Sequence, residues 1–277
     1  MEVRYSPDKD GFKNLDSNKL REQFLIDNLF TKNKIPRVYS DVDRSITGSA
    51  VPVGKILKLS SSKKEMAADY FAQRREIGVI NIGGKGVINV DRKNYNMNHI
   101  DALYIGRGSK NISFKSSSSK NPAQFYFVSY PAHTSYPTKQ VKLEDAESVH
   151  LGTVADSNKR TIHKYILPGK VDTCQLVMGL TILEVGSVWN TMPAHTHQRR
   201  SEIYMYFNLR KDSIVMHILG EPEETRHIIM RDRQAVLSTS WSMHSGAGTQ
   251  NYSFIWAMGG ENQDFDDMDW IPMTKLK

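Results

Sequence analysis

The chain of 277 residues is 39% hydrophobic and 24% charged, and its net charge at neutral pH is +7. This balance predicts a globular protein with one large or two medium domains, and no apolar run approaches the roughly 20 residues of a membrane span. Lysine and arginine are scattered in short pairs, without a basic helix, a zinc finger or an aromatic RNA-binding motif, so we predict neither a membrane nor a nucleic acid as a partner.

The N-terminus and the cysteine content indicate a cytoplasmic protein. Residues 1–5, MEVRY, lack the charged and then apolar pattern of a signal peptide. Cys174 is the one cysteine, so no disulfide can form within the chain, and a reducing compartment is the expected location. Because Cys174 opens the apolar run CQLVM, we predict a buried structural role for it and not a nucleophilic one.

The first elements along the chain are a short helix and then many short strands. Leu20, Phe24 and Leu25 recur at helical spacing, and Ser17 is the predicted N-cap of that helix. From about residue 37 onward, apolar runs alternate with Gly, Pro, Asn and Asp, which is typical of strands and turns. No strand–helix–strand alternation follows, so the pattern predicts an all-β protein built from sandwiches or barrels.

The strand pattern is interrupted between residues 131 and 160, where prolines and the acidic run EDAE stand. We therefore predict two domains, residues 1–135 and residues 136–277. Two short matches suggest that they arose by duplication. RREI at residues 74–77 resembles RRSEI at residues 199–203, and both lead into an apolar strand, while FYFVS at residues 125–129 and SFIWA at residues 253–257 both close a half with an aromatic strand. Chance similarity is the alternative for matches this short.

The second half carries a motif with the spacing of a metal site. His195 and His197 stand two apart, so on a strand both side chains point to the same face. Glu202 has the opposite parity and joins them only if the chain turns within QRRS, residues 198–201. Imidazole nitrogens with one carboxylate are ligands that a divalent transition metal prefers, and His244 is the predicted fourth ligand. No histidine pair precedes the RRE segment of the first half, so we expect one metal site, in the second half.

These residues resemble a known superfamily and, within it, one family. Two histidines, a glutamate and a later histidine, here His195, His197, Glu202 and His244, are typical of cupin barrels, although the usual Pro-x-Gly before the last histidine is missing. The segment GSVWNTMPAHTHQRRSE, residues 186–202, resembles the core of the 5-keto-4-deoxyuronate isomerases, the 4-deoxy-L-threo-5-hexosulose-uronate ketol-isomerases of pectin breakdown. Three further segments match the same family and extend the resemblance over most of the chain: residues 76–84, 103–108 and 258–268.

The resemblance implies a bicupin fold, with two jelly-roll barrels in one chain, one zinc ion per chain and a homo-oligomeric, frequently hexameric, assembly. The zinc ligands of the family carry over to His195, His197, Glu202 and His244, and the first barrel is without metal. The reaction implied is the isomerisation of a small acidic sugar, 5-dehydro-4-deoxy-D-glucuronate, to 3-deoxy-D-glycero-2,5-hexodiulosonate through a metal-stabilised enediolate. Zinc is redox-inert, which fits a reaction without net electron transfer.

A basic pair beside the ligands is the candidate anchor for the carboxylate of such a sugar. A guanidinium holds a carboxylate in a two-point fork, and Arg199 is the predicted catalytic arginine. Adjacent side chains on a strand face opposite ways, so at most one of Arg199 and Arg200 is expected to line the site. A surface salt bridge is the alternative for each of them.

Three further residues are predicted to act in catalysis. Tyr204 and Tyr206 share the parity of Glu202 and can donate a hydrogen bond or carry a proton, with a place in the aromatic core as the alternative. Glu261 is the third, and Gln263 is a candidate on the same ground, since both stand in a polar segment that follows directly on a core strand.

Two functions from other classes stay open on the sequence. Three histidines and a glutamate also bind iron or manganese, so another metal-dependent cupin enzyme, such as an iron dioxygenase or a sugar epimerase, is one alternative. The other is a sugar-binding cupin without turnover. Bound iron with oxygen uptake would indicate the first, and sugar binding without isomerisation would indicate the second.

Overall fold

The computed structural model describes residues 1–261 and 265–277. Contacts within the chain divide it into two compact units. The first unit comprises Met1–Val3, Asn28–Ala146 and Tyr165–Val177, and the second comprises Arg4–Asp27, Glu147–Lys164 and Met178–Lys277.

The first unit is built around a seven-stranded sheet and a four-stranded sheet. In spatial order the larger sheet contains β1 (Glu2–Arg4), β3 (Arg37–Ser40), β4 (Ile46–Ala50), β11 (Phe125–Pro131), β6 (Arg75–Asn81), β9 (Ala102–Ile105) and β12 (Lys139–Val141). The smaller sheet contains β5 (Leu57–Lys58), β10 (Ile112–Ser116), β7 (Gly86–Val90) and β8 (Lys93–Met97).

The second unit is built around a seven-stranded sheet and a five-stranded sheet. In spatial order the larger sheet contains β13 (Glu147–Leu151), β14 (Arg160–Ile166), β15 (Val177–Leu183), β22 (Ser253–Gly260), β17 (Arg200–Phe207), β20 (Gln234–Ser238) and β2 (Leu25–Ile26). The smaller sheet contains β19 (Glu224–Met230), β18 (Val215–Glu221), β21 (Met243–Gly248), β16 (Trp189–Thr196) and β23 (Asp269–Trp270). The predicted all-β class with two cupin-like units is confirmed.

The two units are interleaved along the chain, whereas the predicted boundary lies between residues 135 and 136. Strand β12 pairs with β9, which keeps the segment beyond residue 135 in the first unit. Strand β2 pairs with β20, which places an N-terminal segment in the second unit. Backbone pairing with distant strands decides both assignments, and local composition carries no signal of such pairing.

The helices are short. They are α1 (Lys9–Lys13), α2 (Ser17–Phe24) and α3 (Lys63–Met66), with 3₁₀ turns at Val42–Arg44, Phe71–Gln73, Leu143–Asp145 and Met273–Lys275. The predicted N-terminal helix is α2, but its N-cap is Asp16 and not Ser17, because the Asp16 carboxylate accepts the backbone N–H of Lys19 at 2.9 Å. Among the described residues, no helix is long and apolar enough to cross a membrane.

The core of the first unit contains residues from both of its sheets. Phe125 and Phe127 alternate along β11, and the ring of Phe114 on β10 lies 5.2 Å from Phe125 and 6.3 Å from Phe127 between centroids. Cys174 is buried, as predicted, and burial raises the pKa of its thiol, so it is an inert core residue.

Both units use one strand order, which supports the predicted duplication. The run β3-β4-β11-β6-β9 of the first unit corresponds to β14-β15-β22-β17-β20 of the second, and β5-β10-β7-β8 corresponds to β16-β21-β18-β19. On β6, which corresponds to β17, the buried carboxylate of Glu76 accepts the Tyr104 hydroxyl at 2.9 Å and the backbone N–H of Cys174 at 2.8 Å. Glu76 therefore links β6 to β9 and to the backbone at Cys174 within the first unit. Within the described part of the chain, the one group of histidines and carboxylates arranged to hold a metal lies in the second unit.

Candidate active site

The predicted ligands lie on three strands of the second unit. His195 stands near the end of β16, directly opposite His244 on the neighbouring strand β21. His197 follows β16, and the predicted turn then leads into β17, which carries Glu202. Strands β16 and β21 belong to the five-stranded sheet and β17 to the seven-stranded sheet, so the ligand set joins both sheets of the unit.

The four side chains converge on one point. The Nε2 atom of His195 lies 3.1 Å from Nε2 of His197 and 3.1 Å from Nε2 of His244. The Oε2 atom of Glu202 lies 2.7 Å from Nε2 of His244 and 3.3 Å from Nε2 of His197. All four residues are buried.

This donor set fits a transition-metal ion. A tetrahedral zinc ion with ligands at about 2.0–2.1 Å separates its ligand atoms by about 3.3–3.4 Å, close to the distances between these atoms. Two imidazole nitrogens so close form a hydrogen bond only if one carries a proton, and three of them facing one carboxylate leave lone pairs that a cation would use. His195, His197, Glu202 and His244 are therefore the residues that would hold the metal.

The protonation states suit metal binding. Burial, together with the neighbouring His244, lowers the pKa of His195 to about 2. Burial alone would raise the pKa of the Glu202 carboxyl, but the charge of His244 and hydrogen bonds from His197 and His244 outweigh it and hold that pKa well below its usual value. At neutral pH the site therefore offers a neutral His195 and an ionised Glu202, the forms that bind metal ions.

A second layer of polar groups orients one ligand. The Nδ1 atom of His197 lies 3.1 Å from Oδ1 of Asp267, and the fully buried guanidinium of Arg200 contacts the same carboxylate. A carboxylate on Nδ1–H leaves the Nε2 lone pair free to bind the metal. Asp267 was missed by the sequence analysis, and the only available signal was its position in the segment at residues 258–268 that matches the family.

A cavity of about 350 Å³ is lined by His195, His197 and Glu202. Its volume lies within the roughly 300–1,000 Å³ typical of small-molecule sites. Most of its walls are apolar or aromatic, and they include Ile162, Phe254, Trp256, Met258, Phe265 and Trp270. Two cations, Arg160 and Lys164, also line the cavity, and neither stood out in the sequence.

The two predicted tyrosines have different surroundings. Tyr204 lines the cavity, its hydroxyl lies 3.0 Å from Oγ1 of Thr191, and its ring lies 5.3 Å from that of His244. Burial and the charge of Glu202 raise the pKa of Tyr204 well above its usual value. Tyr206 is fully buried, does not line the cavity, and its hydroxyl lies 2.8 Å from Nδ1 of His217.

The other predicted catalytic residues lie outside the described lining of the cavity. Arg199 and Glu261 are both exposed, and Nε of Arg199 lies 3.5 Å from Oε2 of Glu261. Arg200, the alternative to Arg199, is buried against Asp267. Gln263 lies outside the described residues.

The chain is similar to known proteins over its full length. The model of the KduI/IolB family matches residues 25–273. The chain belongs to the KduI/IolB family. Among its relatives are proteins named 4-deoxy-L-threo-5-hexosulose-uronate ketol-isomerase from Lachnoclostridium phytofermentans, 56% identical, and from Caldicellulosiruptor bescii, 52% identical, each over all of both chains. A relative of that name from Salmonella newport is 50% identical over the full length of both chains.

Solved structures with much lower sequence identity share the fold. An IolB-like protein from Salmonella typhimurium aligns with a TM-score of 0.70 at 11% identity, over 90% of this chain and 97% of its own. The oxalate decarboxylase of Bacillus subtilis aligns with a TM-score of 0.56 at 10% identity, over 79% of this chain and 70% of its own. At these identities the likeness concerns the fold alone. The resemblance to the uronate isomerases, read from the sequence, is confirmed by family membership.

Proposed function

We propose that this member of the KduI/IolB family is a zinc-dependent ketol-isomerase that converts 5-dehydro-4-deoxy-D-glucuronate to 3-deoxy-D-glycero-2,5-hexodiulosonate. The observation that carries the proposal is the buried group of His195, His197, Glu202 and His244 on a cavity sized for a small molecule. The chain that carries this group is 56% identical over its full length to a protein named as such an isomerase.

The reaction turns an aldehyde and the neighbouring secondary hydroxyl into a hydroxymethyl group and a ketone. One proton therefore moves from the hydroxyl-bearing carbon to the aldehyde carbon, and the hydroxyl proton passes to the former aldehyde oxygen. When bound, zinc supplies Lewis acidity at the oxygens of these two carbons without any change of oxidation state. The Tyr204 phenol stays protonated at neutral pH, so it acts as a hydrogen-bond donor to a sugar oxygen in the cavity. Apolar walls such as Phe254 and Trp256 exclude water and strengthen these polar interactions.

The test is metal analysis combined with turnover of the keto sugar. We expect one zinc ion per chain, and an isomerisation that stops on chelation and returns with added zinc. Bound iron with oxygen uptake, or conversion to an epimer, would show another cupin enzyme instead. Sugar binding without any conversion would show a binding protein.

The setting of the enzyme is also a proposal. The setting is breakdown of pectin-derived uronates in the cytoplasm, by a homo-oligomer that is frequently a hexamer in the family. A sequence with one cysteine, Cys174, forms no disulfide within the chain, which suits a reducing compartment. Light scattering of the purified protein measures the assembly, and a monomer at micromolar concentration would contradict it.

A further inference from the structure

One strand of the second unit presents two cations to the cavity. Arg160, Ile162 and Lys164 alternate along β14, so they share one face of the strand, and all three line the cavity. Arg160 and Lys164 therefore occupy different positions along one wall of the cavity. The neighbouring strand β13 lies antiparallel to β14 and determines the partner of each of them.

The partners of the two cations differ. Lys164 stands opposite Glu147, and its Nζ lies 3.0 Å from Oε1 of that residue, so its charge is balanced within the strand pair. Arg160 stands opposite Leu151, which offers no charge. Nη1 of Arg160 donates a hydrogen bond to the carbonyl of Asn158 at 2.9 Å, and no carboxylate pairs with this guanidinium among the described residues.

The other arginines near the site are already engaged. Arg199 is exposed and paired with Glu261 outside the described cavity lining, and the buried Arg200 lies against Asp267. Arg160 is therefore the arginine that both lines the cavity and has no acidic partner in the part of the chain described. A half-buried guanidinium of this kind stays protonated at neutral pH and has an unmet preference for an anion.

We propose that Arg160 binds the carboxylate of the sugar acid in a two-point fork and makes the enzyme specific for uronates. The inference rests on the proposed function, since it names the residue that selects the acidic substrate at the same site. In the substrate the carboxylate and the reacting carbons lie at opposite ends of a six-carbon chain. Arg160 on β14 and His195 on β16 likewise line one cavity from different strands, and Tyr204 lines it too.

The test compares Arg160→Met with the unchanged protein on two substrates, the sugar acid and its neutral methyl ester. For the acid we expect KM to rise roughly 10- to 100-fold, the loss expected for a hydrogen bond to a charged group. For the ester we expect KM to change little. Zinc content and Tm of the variant should match those of the unchanged protein, which separates lost recognition from misfolding.

Two further variants sharpen the comparison. Arg160→Lys keeps the charge but loses the fork, so it should restore only part of the preference for the acid. Lys159→Met removes the adjacent cation, which is exposed and lies 3.0 Å from Glu184, and should leave both KM values unchanged. An unchanged KM for the acid in Arg160→Met, or equal losses on acid and ester, would overturn the assignment.

Failure of the proposed function would show separately. If the unchanged protein does not isomerise the keto sugar, calorimetric binding of D-glucuronate and of D-glucose still tests Arg160. A preference for the glucuronate that disappears in Arg160→Met supports the assignment, and a preference that persists in the variant rejects it.

Discussion

The carboxylate of Asp267 links His197, one of the four candidate metal ligands, to the buried guanidinium of Arg200. Its Oδ1 lies 3.1 Å from Nδ1 of His197, and the same oxygen contacts the guanidinium of Arg200. Because the arginine holds the carboxylate in place, the imidazole has one orientation and one tautomer, with the Nε2 lone pair directed at the other ligands.

Asp267→Asn should weaken metal binding about 10- to 100-fold, the usual effect of losing a carboxylate that orients a histidine ligand. Competition with a chromogenic chelator measures the affinity. Asp212→Asn, the same change at an exposed aspartate that does not line the cavity, is the matched control and should leave the affinity as it was. Equal affinities in both variants would mean that Asp267 does not orient His197.

His244→Ala should abolish isomerisation and most zinc binding while the strands still form. The reason is that Nε2 of His244 lies 3.1 Å from Nε2 of His195 and 2.7 Å from Oε2 of Glu202, so it faces the same point as these candidate ligands. Zinc analysis, turnover and circular dichroism test the three parts of this prediction. His227→Ala, which removes an exposed histidine of β19, is the control for both activity and zinc content. Full activity in His244→Ala would remove this residue from the ligand set.

The two tyrosines should respond differently to loss of the hydroxyl. Tyr204→Phe should lower kcat about 10²-fold or more with zinc content unchanged, because the phenol that donates a proton or hydrogen bond in the cavity is gone. Tyr206→Phe should lower the free energy of unfolding by about 1–3 kcal/mol, because it leaves Nδ1 of the buried His217 without its partner, with a small effect on kcat. The reverse pattern would assign the catalytic role to Tyr206.

His217 should make the protein less stable in acid. Burial lowers the pKa of this imidazole to about 3, whereas in the unfolded chain it is about 6.5. Between these pH values only the unfolded state binds the proton, so the free energy of unfolding falls as pH drops from 6.5 towards 3, by on the order of 4 kcal/mol over the whole window. A zinc ion nearby would act in the same direction, since it disfavours a second positive charge.

His217→Gln keeps a hydrogen-bonding group for Tyr206 but does not titrate. Urea unfolding at pH 7.5, 6 and 5, at one fixed zinc concentration, should show a smaller loss of stability on acidification for this variant than for the unchanged protein. Parallel losses would place the acid sensitivity on other groups.

The sequence alone determined the class of fold and predicted the four candidate ligands that the structure brings together. The period of a strand brings His195 and His197 to one face, and a polar turn reverses the chain before Glu202, so local geometry was enough to group these three residues. The repeated alternation of short apolar runs and turn residues likewise predicted sheets in both halves. Both signals are local, and a strand carries its periodicity wherever it lies in the fold.

Only the tertiary structure decided which charged residues are available to a substrate. Arg199 stands next to the ligands in the chain, yet its side chain is exposed and paired with Glu261, while Arg160 lines the cavity from a strand far away in sequence. Asp267 contacts His197 because the segment near the C-terminus lies against β16. The partner of a charge depends on which strands pair and in which register, and that is set by long-range packing that no local pattern encodes.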